Sequence, residues 1–593
     1  MELGDSCKHT MLNLKLFETI KGSFLYQIIK AIAIIKGIYN MENTEFIADI
    51  KEFKKHIRKE EFKKLDDFIK ERIMKIKSDR VFESLYYKEQ GDAGLFYDVF
   101  KHKFVYNAST GCWMAWFGSF WYVHEELNDV IFKGVDALTS LYGREADRLL
   151  EARLKQQQES QQPEQQQEND AEQQEYKDRD AVIYEISQIK NRTAEENLIL
   201  KLYKRITSFW EGARYKTVIE RVRKQYSTRI QINNDYLDCN PYQLPCRNGT
   251  ISLHNGHFRE SKQTDYNTKL SPVEWIDLDT PCKTWEKTLL EVFSGDQDVV
   301  DCFQRVCGFA LIGAVVEVKA ILMTGKGSNG KTMIMEIIQA ILGDLASPIP
   351  AEMLLEQQQA RNPAAPSPDI MLLKGRRLVI ASETKEGRHL DIAKLKWITG
   401  GDTLTGRNPH DTTNTNFKPS HTLFLLTNNK PHAPANEFSL WRRIIVFPFE
   451  LSYVDREPTE PDERKEDKTL KKRLLDTEAS GILAWLVRGC LEWQRRGGID
   501  LPPKLQQEIK QYQRDEDVLQ DFIDECCLVR SDYNVPAKDL YSVFKTWWIE
   551  NQSTKTPSGT WFGKNMGKKF KKSKSSNIVY CGITTLNPTP KTA

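Results

Sequence analysis

The sequence has no C-x-x-C pair among its eleven cysteines, and their spacings match neither a zinc site nor a compact disulfide framework in a chain of 593 residues. Cys302 and Cys307 are therefore expected as buried thiols. Long apolar runs are missing too. The most apolar stretch, Ser23 to Tyr39, is broken by Lys30 and Lys36, short of the roughly 20 residues a membrane span needs, and no small-residue cleavage site follows it. Nor is there an excess of either charge. Lys and Arg total 85 against 83 Asp and Glu, a net charge of +2, so any surface for nucleic acid must be local. No internal repeat at solenoid spacing stands out. These absences point to a soluble, cytoplasmic protein of a reducing compartment, with no membrane partner.

The length leaves room for three or four domains. Residues 44–83 place apolar side chains at helical spacing among Lys and Glu, the pattern of a charged helix. From Gly94 to Val123 the texture is aromatic, interrupted by Gly111 and Gly118, which predicts short strands and turns. Residues 155–175 are almost wholly polar and are expected as a disordered insertion, because they cannot bury enough apolar area to offset ordering entropy. Helical periodicity returns from Ala181 to Tyr226, and Asn248-Gly249 and Asn255-Gly256 signal hairpin turns. A helical pattern from Trp285 to Ala314 leads into apolar runs at Ala320 to Thr324, Leu378 to Ala381, Thr422 to Thr427 and Ile444 to Phe449. Strands alternating with helices predict an α/β core with a largely parallel sheet. Residues 453–473 read as a surface connection and 478–497 as a further helix.

Gly325-Lys326-Gly327-Ser328-Asn329-Gly330-Lys331-Thr332 matches G-x-x-x-x-G-K-[ST] in full. It follows a predicted strand and opens a predicted helix, the context in which such a loop cradles phosphates on its main-chain N–H groups. Lys331 is placed for the β and γ phosphates of ATP and the Thr332 hydroxyl for Mg²⁺. Downstream, Arg377 to Glu383 is a buried-strand pattern ending in a carboxylate, so Glu383 is the candidate water-activating base beside the metal. Ser382 stands where a metal-site Asp is common, which leaves Mg²⁺ to Thr332, phosphate oxygens and water. The run from His421 ends in Thr427-Asn428-Asn429-Lys430-Pro431, which makes Asn428 the candidate γ-phosphate sensor, with a simple Asn turn as the plain alternative. Arg442 and Arg443 precede another apolar strand, where an arginine can act across a subunit boundary as a finger; a surface pair is the alternative. Between these runs, Lys394 to Asp411 carries Gly400-Gly401 and Asn408-Pro409, predicting a protruding hairpin whose Arg407 and His410 could grip a phosphate backbone.

The ordered motifs GKGSNGKT, LVIASE, KWITGGDTLTGR, TLFLLTNNKP and WRRIIVFPF resemble the superfamily 3 helicases of the phage and plasmid primase-helicase group, which includes the poxvirus primase-helicases. Tyr106 to Trp121 and Pro245-Cys246-Arg247-Asn248-Gly249-Thr250 resemble that group's preceding helicase-associated domain. The resemblance covers roughly residues 90–585 and leaves residues 1–90 as an unassigned helical segment. It implies a helicase-associated domain at 91–284, an AAA+-like ATPase at 285–452 and a helical connection at 453–515. It also implies a homohexameric ring that threads single-stranded DNA and opens forked duplex, using ATP and Mg²⁺, with Ser382 as usual in the group. Relatives often carry a primase domain, but no credible carboxylate set occurs here, so priming is expected from a separately encoded primase or polymerase.

Residues 516–593 are expected as a winged helix, with helices over Leu519 to Cys526, Lys538 to Glu550 and from Gly559 onward, and a wing from Ser576 to Ile583. Lys564, Lys568, Lys569, Lys571 and Lys572, together with Lys574, form the densest basic patch and suit DNA phosphates; a solvated lysine face is the alternative. Two other functions compete with the helicase: an ATP-switched origin-binding or loader protein, and a nucleotide kinase. A small kinase would lack the Gly400-Gly401 hairpin and the terminal domain.

Overall fold

The computed structural model describes residues 62–586 apart from most of 124–135 and 358–364, all of 161–178, 211–212, 383–386 and 575–576, and His410, Thr412, Ser553 and Lys555. One compact unit takes the chain up to residue 106 together with 124–231, and a second takes 107–123 together with 232 onward.

The first unit is helical. It contains α1 (Ser78–Tyr86), α2 (Lys88–Phe100), α3 (Asp136–Ser160), α4 (Ala194–Trp210) and α5 (Ala213–Gln225). Here the expectation of strands from Gly94 onward fails, because residues 94–100 complete α2. Within α2, Gly91 allows close packing: a Cβ there would lie 2.0 Å from the Ser84 carbonyl oxygen, so the glycine lets α2 lie against the end of α1. The strands β1 (Phe104–Asn107), β2 (Cys112–Trp116) and β3 (Trp121–Val123) come after it. Asp92 on α2 is fully buried. Arg205 reaches it at 2.5 Å, Arg214 at 2.6 Å and the Tyr142 hydroxyl at 2.6 Å. Two guanidinium groups and a hydroxyl thus supply the compensation a buried carboxylate requires. Residues 155–160 of the expected insertion continue α3, and 161–178 lie outside the described residues.

In the second unit, β4 (Gln243–Cys246) and β5 (Gly249–Ser252) pair antiparallel across the Asn248-Gly249 turn. Helices α6 (Lys283–Val292) and α7 (Gln297–Phe309) then lead into an α/β core. Its elements are β6 (Ala320–Thr324), α8 (Lys331–Leu342), β7 (Ala346–Pro350), β8 (Leu378–Ser382), α9 (Ile392–Thr399), β9 (Leu404–Gly406), β10 (Thr415–Phe417), β11 (Thr422–Thr427) and β12 (Ile444–Pro448). The five-stranded sheet has the order β12-β6-β11-β8-β7 with every neighbour parallel.

Alternate residues of each strand serve opposite faces. Ile321, Met323, Phe424 and Phe447 join the core shared with α7 and α8, whereas Ala320, Leu322, Leu425 and Val446 join the one beneath α9. Burial on both sides explains why these strands read as continuous apolar runs. Cys302 and Cys307 are buried free thiols on α7, and burial pushes Cys302 up to about 12.

Helix α10 (Ala479–Arg496) crosses α7 at glycine contacts on both partners. It is followed by α11 (Pro503–Asp515). The remainder is α12 (Val518–Cys526), β13 (Cys527–Pro536), α13 (Ala537–Asn551), α14 (Gly559–Lys569), β14 (Lys572–Lys574) and β15 (Ile578–Thr585). These strands form an antiparallel sheet in the order β13-β15-β14, and the helices pack Phe522, Phe544 and Phe562 onto it. The last helix therefore stops at Lys569, and Lys572 and Lys574 lie on a strand.

Candidate functional site

Ligands of parallel α/β sheets collect at the carboxyl ends of the strands, and the candidate site is built there. Thr324, the last residue of β6, is level with Thr427 of β11 on one side and Pro448 of β12 on the other. Gly325 leaves the sheet between them. No side chain fits at that point, since a Cβ would meet the Asn329 amide at 2.1 Å and the Phe449 carbonyl oxygen at 2.4 Å. Gly327 and Gly330 take φ of +108° and +81°, conformations open to glycine at no steric cost. Among the described residues none accepts a hydrogen bond from the main-chain N–H groups of Gly327 to Gly330, which leaves this run of donors at the start of α8 to a ligand.

The Lys331 side chain folds back over this loop. Its Nζ donates to the Gly325 carbonyl at 2.9 Å, to Asn329 Oδ1 at 2.9 Å and to Asn428 Oδ1 at 3.0 Å. All three acceptors are neutral, the lysine is only 4% exposed, and burial lowers its pKa to about 8. A buried ammonium with no carboxylate partner among the described residues, beside unused N–H donors, has the donor set of a polyphosphate site. Asn329 also donates through its Nδ2 to Phe449 O at 3.5 Å, which fixes the acceptor that orients the lysine. Thr332 is exposed at the head of α8, where its hydroxyl is open to a metal ion.

Lys331 and Asn329 of the loop are thus brought together with Asn428 of a separate motif. Glu383 lies outside the described residues. Ser382, just before it, ends β8 level with Leu426 of β11, on the same edge of the sheet as the loop.

Arg442 and Arg443 are not brought to this edge. They precede β12, whose Ile444 is level with Ala320 at the start of β6, and Ala320 N donates to Arg443 O at 2.8 Å. The length of a strand, about 13 Å, separates them from their own phosphate loop. Arg443 Nη1 donates to Ser439 O at 2.6 Å, and Arg442 is exposed.

The predicted hairpin is present as β9 and β10, paired antiparallel from Leu404 with Phe417 to Gly406 with Thr415. Arg407 is half-buried at its base; its main-chain N donates to Ser367 Oγ at 3.1 Å and its Nη1 to Asp411 O at 3.2 Å. His410 lies outside the described residues. Of the lysines, Lys564, Lys568 and Lys571 are exposed. Lys569 pairs with Asp517 at 2.6 Å and Lys572 donates to Gly563 O at 2.6 Å, so these two are engaged within the domain.

Sequence reasoning missed the anchoring of the segment after Asn428. The Tyr512 hydroxyl of α11 donates to Pro431 O, and Lys430 lies 3.7 Å from Glu508. Glu516 accepts from Ala433 N at 2.9 Å and lies 3.2 Å from His432 Nδ1. On its other side, His432 N donates to Arg388 O at 2.8 Å and His432 O accepts from Leu390 N at 2.9 Å. The segment after Asn428 is therefore fastened both to α11 and to residues 388–390. No sequence signal pairs residues about 80 positions apart in this way.

Family comparisons meet this geometry from both ends. Residues 93–294 match the family model described as D5 N terminal like, and residues 514–581 match the one described as Poxvirus D5 protein-like. Over these two stretches the chain is similar to D5-type proteins. Among curated proteins, it is 28% identical over 336 residues to "Putative helicase L207/L206" of Acanthamoeba polyphaga mimivirus, covering 54% of this chain and 34% of that protein. It is 23% identical over 388 residues to "Putative primase C962R" of African swine fever virus (strain Badajoz 1971 Vero-adapted), covering 61% and 39%. The match thus spans little more than a third of the length of these relatives. Among solved structures, the apo C-terminal region of NrS-1 aligns with 56% of this chain and 88% of that one, at 13% identity and a TM-score of 0.32. Among the described residues no helix is long and apolar enough to cross a membrane.

Proposed function

We propose that this D5 relative is an ATP-dependent DNA helicase motor of the superfamily 3 type, with an AAA+-like ATPase core and a C-terminal winged helix, acting as a homohexameric ring on single-stranded and forked DNA. The observation that carries the reading is the buried Lys331, held against Asn329 and Asn428 with no carboxylate partner among the described residues, over a loop whose N–H groups have no partner among those residues. Lys331 binds the β and γ phosphates, the main-chain N–H groups of the loop bind the rest of the chain of phosphates, and Asn428 positions the attacking water or the γ-phosphate. Glu383 takes the proton from that water. Mg²⁺ held by Thr332 and phosphate oxygens supplies charge neutralisation at the leaving group. The far-edge position of Arg442 and Arg443 supports a finger that acts on a neighbouring subunit's nucleotide. Arg407 with His410 and the exposed Lys564, Lys568 and Lys571 are the proposed DNA contacts, and a primase or polymerase working at the same fork is the proposed partner.

The test is ATP hydrolysis and displacement of a strand from a forked duplex by the purified chain and its Lys331→Ala variant. We expect both activities in the former and neither in the latter. Near-normal turnover by the variant would remove the phosphate loop from the mechanism, and hydrolysis without strand displacement by the unaltered chain would favour an ATP-switched loader.

A further inference from the structure

Lys331 Nζ and Asn428 mark the γ-phosphate end of the loop, and they lie on one flank of it: a Cβ on Gly327 would come 3.9 Å from Asn428 Nδ2. The other flank, at Gly330, is made by two different side chains. A Cβ placed on Gly330 would meet Val292 Cγ2 at 3.6 Å and Tyr453 Cε2 at 3.7 Å. If the triphosphate runs along the loop from the lysine end, its nucleoside leaves past Gly330, where the half-buried aromatic ring of Tyr453 stands.

Nothing about this ring is incidental to the loop. The Tyr453 main-chain N donates to Ser328 O at 2.6 Å, so the tyrosine is tied to the phosphate-binding backbone itself. Ser328 holds a φ of +45°, a conformation uncommon for a residue with a side chain, and the bond to Tyr453 is one of the contacts that keeps it there. The Tyr453 hydroxyl donates to Glu291 Oε1 at 3.0 Å on α6. That bond spends the hydroxyl proton away from the loop and fixes the ring plane, leaving the π face as the recognition surface.

We propose that Tyr453 is the base-contacting residue of the nucleotide site, receiving the nucleobase on its ring face, with Glu291 as the residue that positions the ring. This rests on the nucleotide reading above and deepens it: phosphate recognition belongs to the loop, base recognition to a side chain 122 positions after Lys331. Stacking on an aromatic face contributes about 1–3 kcal/mol per base, a factor of roughly 5 to 150 in affinity.

The experiment compares binding of ATP with binding of inorganic tripolyphosphate, which has the phosphates and no base, by calorimetry in the presence of Mg²⁺. Tyr453→Ala is expected to weaken ATP about tenfold or more while leaving tripolyphosphate within about twofold of its original affinity. Tyr453→Trp, which keeps a π face, is expected to retain ATP affinity, and its added fluorescence relative to the unaltered chain should change with ATP and stay constant with tripolyphosphate. Equal weakening of both ligands by Tyr453→Ala would show that the ring only shapes the loop, and unchanged ATP affinity would show that the base lies elsewhere; either overturns the proposal. Failure of the unaltered chain to bind either ligand would instead sink the nucleotide reading, and this inference with it.

Discussion

Among the described residues the Lys331 ammonium is held by amide and carbonyl oxygens, an unusual burden for a lysine. Burial lowers its pKa to about 8, and a bound polyphosphate must raise it again, since an anion favours the charged form. Binding therefore takes up a proton wherever the pH lies between these two values. Hence ATP affinity is flat below about pH 8 and falls above it, by up to about tenfold per pH unit until the pKa of the complex is reached. Calorimetry or KM measurement from pH 6.5 to 9.5 checks this. Lys331→Arg should abolish the inflection, because a guanidinium stays charged throughout. Asn329→Asp should also move it to higher pH, by giving the ammonium a carboxylate, and should weaken ATP at every pH, because that carboxylate repels phosphate. A profile for the unaltered chain that is flat to pH 9.5 would contradict the account of Lys331. At this scale the loop was legible in full, since each spacing in G-x-x-x-x-G-K-[ST] has a steric or electrostatic cause. Asn428 was legible as a strand-end amide. Tyr453 was not, because its relation to the loop is a main-chain hydrogen bond from a region that reads only as a charged connection.

Elements were legible where burial imposes a period. The strands β6, β8, β11 and β12 are buried on both faces and announce themselves as apolar runs. The fifth, β7, does not: it reads Ala-Ser-Pro-Ile-Pro, and its prolines are tolerated because it pairs with β8 alone at the sheet edge. The helix α2 escaped for a related reason, its Gly91, Asp92 and Gly94 resembling a turn until Gly91 is seen against Ser84 and Asp92 against two arginines. The same kind of contact governs the crossing of α7 and α10. A Cβ on Gly489 would lie 2.2 Å from Gln304 O, and one on Gly308 would lie 2.1 Å from Cys490 N. Backbone meets backbone there, and no rotamer change can make room. Gly489→Ala should cost about 1–3 kcal/mol or more through overpacking, seen as a lower midpoint in thermal or denaturant unfolding. Gly498→Ala is the control, since a Cβ there would come no nearer than 4.0 Å to Glu317. Equal midpoints for the two variants would mean the helices part at little cost.

For the whole molecule, the decisive question is whether a single chain completes its own site. Arg442 and Arg443 stand at the wrong end of β12 to serve the nucleotide of the same chain. If they serve a neighbour, subunits carrying Arg442→Ala and Arg443→Ala should be inactive alone. Mixed with Lys331→Ala subunits, they should recover part of the ATPase activity, because some interfaces then join an intact loop to intact arginines. Full activity of the double-arginine variant by itself would exclude the finger. The α/β core could be read from the apolar runs and the helices between them. What could not be read is how the segment after Asn428 is braced, because the clamp joining residues 430–433 to Glu508, Tyr512 and Glu516 is polar, short and far apart in sequence. That clamp limits how relatives can exchange parts. A recombination junction anywhere from 434 to 507 takes residues 428–433 from one parent and the helix that braces them from the other; if Asn428 is the γ-phosphate sensor proposed above, such hybrids should lose ATPase activity unless both parents supply matching clamp residues. On that reading the segment after β11 and the helix α11 are a single unit of inheritance.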